Sequence, residues 1–305
     1  MAFDRLGDEN AGFALVAILV FMLIVSAVVV PFALTARTRL MIATNEVEQQ
    51  RLSLVAEGLT NVVSTELFED SVASLRTVKA RLNGEPVECR SGQLTISLTI
   101  QDHNGLIDLN AANDQLLAQG IASFGFDDQT AASLAKAIII YRGPPDAFAQ
   151  AAQGQSSIGP ADNKFAPFES ISELQEYPAF ASVPLHALFG VFTVNLGRGA
   201  VVLAVAPRRL RDFVNTISGT YQPSETNDGS VYTVEATVSR DGSGIVGQAG
   251  FTVEKSLSGA KGFHRLAQMP AASVVGSIDD MLPVSTFGCD ILFGTAVAQI
   301  LGQWK

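Results

Sequence analysis

Three histidines, two adjacent aspartate pairs and two cysteines are the residues of this 305-residue chain whose types could carry chemistry. A histidine held against a hydroxyl or thiol would make a nucleophile and its base, a carboxylate pair would do general acid–base work, and a cluster of His, Cys and Asp would hold a metal. The spacings meet none of these requirements. His103 lies in "DHNG", His186 stands two residues after Pro184, and His264 adjoins Arg265, contexts that place each at the surface. Asp127-Asp128 opens a predicted helix, where acidic side chains favour the helix dipole without any catalysis. Asp279-Asp280, in "GSIDDML", reads as solvated. No G-x-S-x-G, H-E-x-x-H or phosphate loop occurs. The glycine comes too soon in "DHNG" and in "SRDGSG" for an EF-hand loop. The chain therefore reads as a non-enzyme with no catalytic residue, no metal site and no cofactor. Cys89 and Cys289 make neither a metal spacing nor a disulfide framework. They could form one long-range bridge in an oxidising compartment, or remain two unrelated buried thiols.

The elements around these residues are more informative. From Phe13 to Ala36 no residue is ionisable. At about 1.5 Å per residue such a helix spans roughly 36 Å, enough to cross a hydrocarbon core of about 30 Å. A cleavable signal of the general secretory type would be shorter and end in a small-residue site, which is not seen. Beyond Arg37 the sequence turns amphipathic: Leu40, Val47, Leu54, Leu59, Val62, Leu67, Val72, Leu75, Val78 and Leu82 recur at helical or heptad-like spacing. "NGEP" at 83–86 stops the pattern. The expectation is one long helix, apolar over 13–36 and amphipathic over 37–83.

In the soluble part, Leu94, Ile96, Leu98 and Ile100 alternate with Thr95, Ser97 and Thr99, a half-buried strand. "DHNG" at 102–105 offers hairpin turn chemistry, and Leu106, Ile107 and Leu109 are expected to return as its partner. Asn110 reads as the N-cap of a first short helix; a second helix is expected from Asp127 to Gly143. The two, joined by "SFGF", look like a helix-hairpin-helix or SAM-like pair. Between Asp102 and Arg142 the only full positive charges are Lys136 and Arg142. That scarcity, with a formal net charge of −10, excludes nucleic acid as a partner. Residues 143–166 and 218–230 read as loops. The latter precedes a second hairpin, in which Tyr232, Val234, Ala236 and Val238 alternate, "RDGSG" turns, and Ile245, Ala249, Phe251 and Val253 return. The C-terminal "FGCDILFGTAVAQILGQWK" has helical spacing and is expected to pack on the body, being too short for a second span.

Gly12-Phe13 at the polar-to-apolar edge, the uncharged half-helix and its amphipathic continuation together resemble the type IV pilins and type II secretion pseudopilins. The stretch "QDHNGLIDLNAANDQLL" is similar to the D-x-x-G-x-I-x-L-N-x-A pattern of the type II secretion minor pseudopilin K family. "FAPFESISELQEYPAF" at 165–180 resembles that family's P-F-x-S-x-x-E-L segment, and "FTVNLGRGAVVLAVAPRRL" falls where the family has a T-V strand. The resemblance runs from Gly12 to about Leu210. It implies a leader of residues 1–12, prepilin peptidase cleavage between Gly12 and Phe13, and N-methylation of Phe13. It implies an inner-membrane, single-pass protein with its soluble domain in the periplasm. Its partners would be the other minor pseudopilins of the I, J and H types, the major pseudopilin and the peptidase. It implies an α+β fold: the long helix packed on a pilin-like antiparallel sheet built from 87–109 and 219–305, with a helical domain inserted at 110–218. Most members carry Glu at the fifth mature position; here that place is Ala17, which fits a subunit at the tip. The chain departs from the family in its acidic leader, in Arg37 and Arg39 just beyond the span, in "IIIYRGPPDAF" after the second helix, and in the altered "VVLAVAPRRL".

Overall fold

The computed structural model describes residues 9–68, 82–144, 159, 164–214, 231–256, 262–270 and 285–304. The chain divides into two compact units, Met1–Arg51 and Leu52–Lys305. The first helix, α1 (Glu9–Phe68), begins in the first unit and ends in the second. In the first unit its apolar side chains from Leu15 to Leu34 stand exposed, and its most apolar 18 residues have a mean hydropathy of 3.0 with no part buried. Pro31 is accommodated inside the helix. Thr35 donates its hydroxyl to the Pro31 carbonyl at 2.8 Å and Thr38 does the same to Leu34 at 3.1 Å, so both hydroxyls are satisfied within the helix itself. The described helix ends at Phe68; Val72, Leu75 and Val78 lie outside the described residues.

In the second unit α1 contributes a stripe of buried residues, Leu52, Ala56, Leu59, Val63 and Leu67, spaced three or four apart so that they share one helical face. Their partners come from a six-stranded sheet. Its strands are β1 (Val87–Ser91), β2 (Leu94–Asp102), β5 (Val231–Arg240), β6 (Val246–Lys255), β7 (Phe263–Gln268) and β8 (Ser285–Gly288). They lie in the order β7-β6-β5-β2-β1-β8. Neighbours are antiparallel except β1 and β8, which run parallel. Every second residue of β2 faces the helix, and Ile96, Leu98 and Ile100 sit directly opposite Val238, Ala236 and Val234 of β5 in the same core. Full burial of each Ile, Leu or Val side chain among them is worth about 1.5–3 kcal/mol. The helix meets the sheet most closely at Gly247 of β6, where a Cβ would lie 2.2 Å from the Ser53 nitrogen and 2.3 Å from the Leu52 carbonyl carbon.

Two expectations are corrected here. "DHNG" does not turn a hairpin. His103–Gly105 form a single 3-10 turn capped by the Asp102 carboxylate, which accepts from the Asn104 amide at 2.9 Å. The chain then leaves the main sheet, because β1 and β5 already occupy both edges of β2. The first hairpin is instead β1–β2, closed by Gly92 (φ +60°) and Gln93. After the 3-10 turn comes β3 (Ile107–Asp108), paired in parallel with β4 (Phe192–Thr193) as a separate two-stranded sheet. Asn110 is likewise not a helix cap: Asp108 ties the chain as far as Ala112, so α2 (Asp114–Ala122) starts only after Asn113, whose side chain accepts from the Leu116 amide. The second helix, α3 (Asp128–Arg142), starts one residue after the expected Asp127, which serves as its cap, and Gly143 follows it.

The β5–β6 hairpin forms where the alternation places it, with Gly242 and Gly244 at positive φ in its turn. Beyond α3 the inserted region continues through a 3-10 segment at Ile171–Glu176 opened by a Ser170/Glu173 capping box, then α4 (Leu185–Phe189) and α5 (Arg208–Val214). It has a core of its own around Leu117, Leu134, Ile138, Tyr177, Phe180 and Phe192, distinct from the core under the sheet. At the C-terminus α6 (Cys289–Gly302) is broken at Gly294 (φ +79°) and buries Leu292, Phe293 and Leu301 against the sheet core. A disulfide joins Cys89 of β1 to Cys289 at the start of α6 across 200 residues of sequence. The architecture is α+β, with a long N-terminal apolar helix, a largely antiparallel sheet and a helical subdomain inserted between β2 and β5.

Two glycines, Gly247 at the helix–sheet contact and Gly58 on the exposed side of α1, give opposed expectations. Gly247→Ala should destabilise the full-length protein by about 1–3 kcal/mol, because its methyl would meet helix backbone. Gly58→Ala, where nothing lies within 4 Å of an added Cβ, should stabilise it by about 0.4–1 kcal/mol. Urea midpoints of the two variants in detergent check both signs.

Candidate functional site

α1 runs uninterrupted through Gly12, Phe13 and Ala17. Phe13 is 79% exposed, and Ala17 is exposed on the same apolar surface. This segment is the candidate membrane element: it is long and apolar enough to cross a bilayer, and its backbone groups are satisfied inside the helix, as hydrocarbon demands.

The second candidate region is the seam between the two cores of the second unit, and it is built from the motif that opens the inserted region. Asp102 accepts from the Asn104 backbone and side chain. Gly105 is required by close approach, not by positive φ: a Cβ there would lie 2.2 Å from the Val205 carbonyl oxygen. Ile107 and Leu109 enter the core of the inserted region. The buried Asp108 carboxylate accepts four backbone N–H groups, from Asn110 and Ala111 on one oxygen and from Leu196 and Gly197 on the other. Asn110 clamps Phe168 in both directions, donating to its carbonyl at 2.9 Å and accepting from its amide at 2.7 Å. Arg142, at the end of α3, donates to the carbonyls of Leu109 and Ala112. Sequence spacing does not single out Asp108 or Arg142. The signal is present in the aspartate of "LIDLN", but two of its partners lie 88 and 89 residues away.

The histidines divide. His103 is 2% exposed, not at the surface as its turn context predicts. Its Nδ1 lies 2.8 Å from Thr193 Oγ1 and its Nε2 2.8 Å from Thr233 Oγ1. A histidine between two hydroxyls has the elements of a nucleophile and base, yet burial leaves no room for a substrate. It is a polar bolt from the sheet to the inserted region. His186 of α4 also joins the two, its Nε2 3.5 Å from a Glu235 carboxylate oxygen on β5. That hydrogen bond raises its pKa. His264 is exposed and contacts Ser256 at 3.2 Å. Asp127 accepts from the Thr130 amide and hydroxyl, and the amide bond foremost holds its carboxyl below the ordinary range. Asp279-Asp280 lie outside the described residues. Among the described residues no group of three or more His, Cys, Asp or Glu could hold a metal ion. A cavity of about 440 Å³ lies beside α2, α3 and α5, with Ala118, Ala131 and Phe213 in its lining and Asp114, Asp128 and Lys136 among its polar residues.

No protein-family model matches the sequence, and no curated protein matches it. A chain in the crystal structure of the GspK-GspI-GspJ complex from the type 2 secretion system of enterotoxigenic Escherichia coli aligns with it. The alignment covers 77% of this chain and 100% of that one, at 12% identity and a TM-score of 0.46. A likeness at that level assigns no activity, partner or site.

The seam makes stability depend on pH. Burial pushes the His103 pKa from 6.5 down to about 3, so between those values the unfolded chain binds a proton that the folded chain refuses. Stability should therefore fall as pH drops from about 6.5 towards 3, by roughly 1.4 kcal/mol per unit. His186 acts in the opposite sense: its raised pKa adds stability that is complete below 6.5 and lost as pH rises through the folded value. Urea denaturation of the full chain at pH 7 and pH 5 measures the balance. His103→Asn should lower stability at pH 7 and flatten the loss on acidification; an equally steep loss in the variant would show that His103 is not its source.

Proposed function

We propose that this protein is a minor pseudopilin of the K type, placed at the tip of a type II secretion pseudopilus and helping to initiate its assembly for protein export across the outer membrane. The observation that carries the reading is α1: its first part is an uncharged, exposed apolar rod, and its last turns supply the core stripe of a largely antiparallel sheet. An ordinary membrane anchor needs no such continuation. The order of motifs from Gly12 to about Leu210 supports it, as does an insertion with its own core between the two main hairpins. The Cys89–Cys289 bridge fits an oxidising periplasm for the soluble part.

Ala17 supports the tip position. An uncompensated carboxylate in hydrocarbon costs several kcal/mol. In the family arrangement, the Glu of an incoming subunit neutralises the terminal ammonium of the subunit ahead. A subunit with none ahead has no ammonium to pair, and alanine removes the cost. In this reading the partners are the I-, J- and H-type minor pseudopilins and the major pseudopilin, and prepilin peptidase processes the chain between Gly12 and Phe13.

Intact mass and N-terminal sequencing of the membrane-bound protein, from cells with an active prepilin peptidase, tests this reading. The expected product begins at methylated Phe13, and Gly12→Val should abolish the cleavage and the secretion that depends on it. A chain that keeps its first twelve residues, indifferent to Gly12→Val, would favour a membrane-anchored periplasmic binding module outside any filament.

A further inference from the structure

Between Phe13 and Asn45 the only ionisable side chains are Arg37 and Arg39. Both are exposed on α1, and none of the described ion pairs involves either. They do not stand at the edge of the apolar surface but within it. Leu34 precedes them at 60% exposure, and Leu40, Met41 and Ile42 follow at 68%, 50% and 53%. Nearby hydroxyls do not compete for their donors' partners: Thr35 and Thr38 are bonded back to helix carbonyls, and Thr44 to the Leu40 carbonyl at 2.6 Å.

The residues from Phe13 to Ala43 would span roughly 46 Å as a helix, well beyond a hydrocarbon core of about 30 Å. The first arginine comes after a stretch of roughly 36 Å, which fills that core with some tilt. Arg37 and Arg39 then fall at headgroup depth, and the apolar residues after them keep that turn against the membrane. Two residues apart on a helix is a rotation of about 200°, so the guanidinium groups leave opposite sides of the rod and cannot share one acceptor. Each needs a separate anion, and a guanidinium matches a phosphate in a two-pronged geometry.

We propose that Arg37 and Arg39 form a two-sided clamp for anionic phospholipid headgroups, fixing the depth of α1 in the bilayer. The clamp rests on the membrane-anchored reading above and does not depend on cleavage at Gly12 or on a place in a filament. Surface attraction by an anionic leaflet corresponds to roughly a fivefold preference for each arginine.

The test uses the full-length chain in detergent, supplied with equimolar phosphatidylglycerol and phosphatidylcholine, and counts the lipids retained by native mass spectrometry. The wild type should retain phosphatidylglycerol several-fold over phosphatidylcholine. The preference should fall towards parity in R37Q/R39Q, survive largely in R37K/R39K, and weaken by about half in logarithmic terms in each single glutamine variant. Parity in the wild type, or a preference unchanged in R37Q/R39Q, would overturn the clamp. Flotation of the same proteins with phosphatidylcholine vesicles is the separate check on the anchor. Wild type and R37Q/R39Q should both float; failure of the wild type to float would remove the membrane-anchored reading and the clamp with it.

Discussion

The structure of the second unit depends on one contact: the Leu52–Leu67 stripe of α1 lying across the inward face of β2 and β5. Both surfaces are apolar with fixed periods, about 3.6 on the helix and 2 on the strands, and neither could be left in water. Gly247 lets the helix backbone approach where any side chain would hold it off. With the central strands covered, the remaining strands add outward in both directions. The disulfide then ties the last helix to β1 at one side. At the other, Arg265 of β7 lies over the Phe251 ring and reaches Glu57 and Asn61 of α1.

The inserted region is joined to this sheet by polar groups, since its apolar residues are spent on its own core. Buried polar groups are costly unless every one is paired. His103 bridges Thr193 of the inserted region and Thr233 of β5, and His186 meets Glu235 of β5. Asp108, accepting four backbone amides, and Asn110, using both ends of its side-chain amide, knit the inserted region itself. Such a seam specifies orientation, because its bonds have direction where apolar contacts have none. In this motif the Asp, His and Asn side chains all have protein partners. Asp108 and Asn110 are occupied inside the inserted region, and His103 in joining it to the sheet.

The apolar end of α1, as a membrane element, would obey a different constraint. In hydrocarbon there is no water to complete a polar group, so the helix must satisfy itself and shed its charges. Phe13–Ala36 does so, and its threonine bonds back to the helix. The first charges after it are Arg37 and Arg39. The proposed tip role and the proposed headgroup clamp are both consequences of where charge is absent and where it returns.

Much of this was legible in the sequence because it is local. The uncharged run, the alternation of β2, the β5–β6 hairpin with its "RDGSG" turn and the acidic start of α3 each depend on residues within a few positions of one another. The turn at "DHNG" was not legible. Its residues suit several turns, and the choice among them is made by Val205 packing on Gly105 and by β1 and β5 taking both edges of β2. The burial of His103 was hidden for the same reason, its two partners lying 90 and 130 residues away. The union of Cys89 with Cys289 depends on β8 running parallel to β1. By itself the sequence determined the long helix, the faces of β2 and of the β5–β6 hairpin, and the exclusion of charge from the N-terminal rod, since periodicity and hydropathy act along the chain. Only the tertiary structure decided which strands pair, which polar residues are buried and which cysteines meet, because those choices are made by contacts between residues far apart in sequence.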